Sequence, residues 1–158
     1  MPVAEEADVK LAMHPDDPPL SPIQSVARII SSVENYQKMV DLVPSPVNCI
    51  GLCQGNFGLM TDDLPGVIRH FGEQKKIHFV HFRDTRGTPE KFDETFHDDG
   101  KTDMASCVRA YRDVGYKGVA RPDHFPQMTY GDFKDVHSIE RLFAIGYMRG
   151  LIEAVYSE

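Results

Sequence analysis

Ile77-His78-Phe79-Val80-His81-Phe82 decides the fold, because six consecutive residues of this kind form a buried β-strand better than anything else. His78 and His81 stand three apart, so a strand sends them to opposite faces. His81, nearer the C-terminal end, is the candidate to face a site. Working outward, the same grammar recurs. Short apolar runs at residues 9–13, 47–53 and 119–120 each end in polar, Gly- or Pro-rich turns. Helix-period stretches follow at residues 32–42, 64–71, 103–114 and about 138–156. Ile139, Leu142, Phe143, Tyr147, Leu151 and Val155 form the apolar stripe of the last. Strand and helix alternating four times predict an α/β fold, a parallel sheet with crossover helices. Four strands are too few to close a barrel of eight, so a barrel sheet would be only half present in this chain.

Composition bounds the function classes. The 158 residues carry 17 Lys and Arg against 24 Asp and Glu, a net charge of −7, with 41% hydrophobic and 26% charged residues. This is globular composition. An acidic balance argues against a nucleic-acid partner. No apolar run approaches the ~20 residues of a membrane span. The first residues show neither the basic nor the apolar region of a secretory signal, and three cysteines read as reduced thiols, so a cytoplasmic location is expected. One domain over residues 1–158 is expected.

His14, Cys53, His81 and Asp123 fall at the C-terminal ends of the four successive strands, where α/β folds bind ligands. Two imidazoles, a thiol and a carboxylate suit a first-row divalent metal. Taken singly, each has a plainer reading. His14 could cap the His14-Pro15-Asp16-Asp17-Pro18-Pro19 loop, Cys53 could be a small buried hydrophobe, and Asp123 could pair with Arg121. Cys49 and Cys107 read as core. Gly51, Gly55 and Gly58 read as a tight turn around Cys53. Residues 83–102 form a long polar excursion of the sort that carries function. In it Arg83 and His97 are candidate substrate contacts, while Asp98 and Asp99 read as solvated. Arg83 or Arg121 could hold an acid by paired N–H donors. Asp16 or Asp17 are candidates to orient the metal-binding imidazoles.

Several segments together resemble mannonate dehydratases. They are residues 10–19 (KLAMHPDDPP), 52–55 (LCQG), 77–83 (IHFVHFR), 96–100 (FHDDG), 121–124 (RPDH) and 146–151 (GYMRGL). The resemblance covers essentially the whole chain and corresponds to the C-terminal half of that family. It implies a partial (β/α)8 TIM barrel of the xylose isomerase-like kind, approximately strands 5–8 with their helices. It also implies metal-dependent dehydration of D-mannonate to 2-dehydro-3-deoxy-D-gluconate in hexuronate catabolism, with Mn2+ or Fe2+ as cofactor. The family's metal ligands would fall on His14, Cys53, His81 and Asp123, with Arg121 on the substrate and His124 near the proton transfer. The family's acid/base Tyr has no counterpart before Arg141, leaving Tyr130 or His137 as substitutes. A half-barrel exposes two edges, so self-association or pairing with a missing N-terminal half is expected, or else an inactive remnant. A sugar isomerase of the same barrel superfamily is the other reading.

Overall fold

The computed structural model describes residues 1–126 and 137–158, apart from the side chains of residues 137 and 138. After a short N-terminal helix, α1 (Pro2–Glu6), the chain runs β1 (Leu11–Met13), α2 (Val33–Leu42), β2 (Asn48–Cys53) and two helices, α3 (Gln54–Met60) and α4 (Leu64–Glu73). It continues with β3 (Ile77–Phe82), the strands β4 (Thr85–Thr88) and β5 (Lys91–Glu94), α5 (Met104–Asp113), β6 (Val119–Pro122) and α6 (His137–Tyr156). β1, β2, β3 and β6 form one sheet in that order, every pair parallel. The alternation read from the sequence is therefore the architecture.

Helix starts follow local chemistry. Ser32 accepts from Asn35 N at 3.2 Å, Asp63 from Gly66 N at 2.9 Å and Asp103 from Ser106 N at 2.9 Å, each satisfying an otherwise orphaned donor. The apolar faces these caps orient meet under the sheet. Tyr36 and Val40 of α2, Leu64, Ile68 and Phe71 of α4, and Cys107, Ala110 and Tyr111 of α5 pack with Ile50, Leu52, Ile77 and Val80. Cys49 and Cys107 are buried, as core residues should be, and all three cysteines are free.

Three expectations needed correction. Residues 54–60 form a helix rather than a turn, despite their glycines. A Cβ on Gly55 would lie 2.6 Å from Arg83 Cδ, so that glycine lets α3 close over the arginine. The polar excursion is not all loop: β4 and β5 pair antiparallel as a hairpin. The stripe of α6 is only partly covered. Val155 is buried beside Phe82, Met104 and Val108, and Ala144 is buried as well, whereas Ile139, Leu142 and Phe143 remain exposed.

The sheet is open among the described residues. β1 pairs only with β2 and β6 only with β3, so each leaves one side of its backbone unpaired. Leu11, Met13 and Val119 on those strands are exposed. No helix among the described residues is long and apolar enough to cross a membrane.

Candidate metal centre

Parallel pairing brings the C-terminal ends of the strands level. Cys53, the last residue of β2, is register partner of His81 in β3, and His81 is partner of Arg121 in β6. His14 follows β1 directly and Asp123 follows β6 directly. One residue from each strand is thus delivered to one rim.

There the side chains converge. His14 Nε2 lies 3.1 Å from His81 Nδ1, and His81 Nδ1 lies 3.2 Å from Asp123 Oδ2. The ligand atoms of His14, Cys53 and His81 are all within 4.8 Å of one another. His14 Nδ1 donates to the Pro15 carbonyl at 2.8 Å, which leaves the Nε2 lone pair directed inward. The single Nδ1–H of His81 therefore faces the His14 nitrogen and the Asp123 oxygen together. Hydrogen bonds with Asp123 and Cys53 push His81 up to about 9. Burial pushes the Asp123 carboxyl up, but its bond to His81 and the nearby cationic groups outweigh this and hold it well below the usual range. Donor atoms that gather around one shared proton are suitably placed for a cation. Nitrogen, sulfur and nitrogen at this spacing form a group able to hold a metal, with the Asp123 oxygen beside it.

The groups around this centre differ from expectation. The orienting acceptor for His14 is a backbone carbonyl, not Asp16 or Asp17. Asp16 instead accepts from Ile30 N at 2.8 Å, and Asp17 pairs with Arg83 at 2.8 Å. Arg83 is 1% exposed and places its donors on groups of its own chain. Its Nε and Nη2 grip Glu94, while Nη1 donates to Asp17 Oδ2 and, at 2.9 Å, to Asn56 Oδ1. Nη1 also lies 3.7 Å from Cys53 Sγ. Desolvation made this inevitable: a buried guanidinium survives only with its donors matched to acceptors in the chain. His97 is likewise fully buried and reaches no solvent. It bonds through Nε2 to the Phe82 carbonyl, which also accepts from Asp123 N at 2.9 Å, and its ring stacks on Phe82. Arg83 and His97 brace the rim from behind.

Arg121 and His124 do face outward. Arg121 is 57% exposed and donates from Nη2 to Asp123 Oδ1. His124 holds φ 45°, a left-handed backbone that a non-glycine residue adopts at a cost, commonly at functional sites. Its Nδ1 lies 3.4 Å from Glu94 Oε1 and its Nε2 3.7 Å from Asp123 Oδ2. Tyr130 lies outside the described residues, and so does the side chain of His137. Asp98 and Asp99 are exposed, Asp99 pairing with Arg86. Sequence reasoning missed Glu94 and Asn56. No spacing signal marks them, since Glu94 reaches Arg83 across a hairpin and Asn56 across a helix turn.

Asp84 adds a buried carboxyl behind the rim. Its Oδ1 accepts from Thr85 N at 2.9 Å and from Thr102 N at 3.2 Å. Burial nonetheless pushes it up to about 6 from 3.8. The folded chain therefore binds this proton more tightly than the unfolded chain. Its contribution to stability is present below the unfolded value and is lost as pH rises through about 6. The difference corresponds to about 3 kcal/mol. Urea midpoints measured from about pH 4 to about pH 7 should show Asp84→Asn gaining on the unsubstituted chain by up to that amount. Curves that stay parallel would refute the assignment.

Comparison with known proteins extends the argument beyond geometry. The family model described as D-mannonate dehydratase (UxuA) matches residues 1–158. Mannonate dehydratase 2 of Halalkalibacterium halodurans is 39% identical over 99% of this chain and 47% of its own length. The mannonate dehydratase of Thermotoga neapolitana is 41% identical over 98% of this chain and 44% of its own. Among solved structures, the mannonate dehydratase of Streptococcus suis serotype 2 superposes with a TM-score of 0.88 at 32% identity, over 98% of this chain and 45% of that one. An L-ribulose 3-epimerase superposes with a TM-score of 0.71 at 15% identity, over 99% of this chain and 51% of that one, a likeness of fold alone. The chain spans less than half the length of the curated relatives it matches, and about half of the barrel chains it superposes on. With a match along its whole length and a rim of strand ends that gathers metal-ligand side chains, this chain belongs to the mannonate dehydratase family.

Proposed function

We propose that this chain carries the metal-binding rim of a mannonate dehydratase. In this reading it takes part in converting D-mannonate to 2-dehydro-3-deoxy-D-gluconate and water, a step of hexuronate catabolism. The observation that carries the proposal is the convergence of His14, Cys53 and His81 within 4.8 Å in a chain of that family. His14 Nε2, Cys53 Sγ, His81 Nδ1 and Asp123 Oδ2 would hold a divalent ion, manganese or ferrous iron. Such an ion, when bound, supplies Lewis acidity toward the oxygens of the sugar acid.

The chain's own residues supply the rest. Dehydration removes the proton on the carbon next to the carboxylate and expels the neighbouring hydroxyl as water; the resulting enol becomes the 2-keto acid. Arg121 keeps Asp123 turned toward His81 and offers its remaining N–H groups to the substrate carboxylate. His124 presents Nδ1 to Glu94, which favours the proton on that nitrogen and leaves Nε2 to take or deliver one at the substrate. His97 holds the carbonyl that also anchors the Asp123 amide, so the ligand rim keeps its shape.

Residues 1–158 act here as one domain, four βα units of the barrel. The open sides of β1 and β6 are the seams for a complementary half, a further stretch of polypeptide or a second copy. Three free cysteines suit a reducing compartment, in keeping with a cytoplasmic reaction.

The test is keto-acid formation from D-mannonate by the purified chain with manganese. EDTA should remove it and added manganese restore it. Metal bound with no keto acid formed would reduce the chain to a binding remnant, and no metal bound would overturn the reading.

A further inference from the structure

A cavity of about 330 Å3 opens beside Asp123, lined by Arg121, His124, Phe125, Arg141 and Ile145. Its size falls at the lower end of small-ligand pockets, ~300–1,000 Å3. Arg141 and Ile145 stand one turn apart on α6, so a single helix face walls it on one side. β6 and the residues after it form the other wall.

The charges in this cavity do not balance from within. Two guanidinium groups and an imidazole share it with one carboxylate, Asp123. That carboxylate is spent, since Oδ1 accepts from Arg121 and Oδ2 faces His81. Arg141 is exposed and has no hydrogen bond or ion pair among the described residues. Two like charges in one small cavity repel, and an anion between them turns that repulsion into attraction. The guanidinium fork matches a carboxylate with two parallel N–H donors.

We propose that Arg141 is a specificity-determining residue that receives the carboxylate of a small polyhydroxy acid, with Arg121 as its partner across the cavity. This rests on the sugar-acid reading of the site and adds which residue selects the acid over the neutral polyol. It also gives the Arg141 face of α6 a role at the site.

The test is binding, read by titration calorimetry on the manganese-loaded chain with D-mannonate and with D-mannitol, its uncharged analogue. Arg141→Gln should weaken D-mannonate binding about 10- to 100-fold. Arg141→Lys should restore part of it, a point charge replacing the fork. D-Mannitol binding and cobalt(II) affinity should not change in either variant. D-Mannonate binding that Arg141→Gln leaves intact overturns the assignment while the sugar-acid reading stands. Equal loss of both ligands overturns it as well, since carboxylate recognition would not be what was removed. A chain that binds cobalt(II) but no D-mannonate overturns the sugar-acid reading, and this inference with it.

Discussion

Replacing His81 by alanine is expected to lower the chain's cobalt(II) affinity on the order of 1,000-fold or more, because groups that merely orient a ligand already contribute about 10- to 100-fold. His81 is the hub of the centre. Its Nδ1 is 3.1 Å from His14 Nε2 and 3.2 Å from Asp123 Oδ2, and it sits on β3, between the strands that carry Cys53 and Asp123. Without it the remaining donors surround a gap. The backbone pairing of β3 with β2 and β6 does not depend on the side chain, so the sheet should persist. Visible absorption of the cobalt-loaded chain reads the result. Cys53→Ser should remove the sulfur-to-metal charge-transfer absorption while leaving a weaker cobalt spectrum. His78→Ala, three residues away on the same strand, should leave both affinity and spectrum unchanged. Full cobalt affinity in His81→Ala would remove the metal centre from the account of this protein.

Arg83→Ala should destabilise the fold by about 3–5 kcal/mol, the cost of breaking a buried ion network by deleting one side. Against a typical total of about 5–15 kcal/mol, that is a large share. The side chain is 1% exposed and joins three segments: Asp17 after β1, Asn56 in α3 and Glu94 in β5. Its loss leaves the oxygen of buried Asn56 without its donor, and the Gly55 backbone that closes over it faces an empty volume. Arg83→Lys should recover only part, since one ammonium cannot serve Asp17, Asn56 and both oxygens of Glu94. Urea denaturation monitored by circular dichroism measures both variants. A loss below about 1 kcal/mol would mean that the network is ornamental.

The legibility of the site followed from periodicity. A residue at the end of each parallel strand is brought to one rim by register alone, so His14, Cys53, His81 and Asp123 could be singled out as metal-capable residues before any coordinates. Choosing His81 over His78 needed only the two-residue period of a strand and the direction of the sheet. Arg83 and His97 were chosen for chemistry without knowledge of burial. An arginine beside a site looks the same in sequence whether it meets a substrate or three groups of its own chain. The helix at residues 54–60 was hidden for a related reason. Glycines weaken helix propensity, and the packing against Arg83 that favours Gly55 is a tertiary contact.

By itself, the order of residues determined the strand–helix alternation, the parallel sheet, the core positions of Cys49 and Cys107, the metal-capable strand ends and the resemblance to mannonate dehydratases. These depend on local periodicity, on propensity and on motifs read in order, none of which needs distant partners. Tertiary structure alone decided that His14 Nε2 meets His81 Nδ1, that Glu94 joins Arg83 to His124, and that Arg141 shares a cavity with Arg121. Those depend on side-chain direction and desolvation between segments far apart in the chain, and such distances exist only once the sheet has formed.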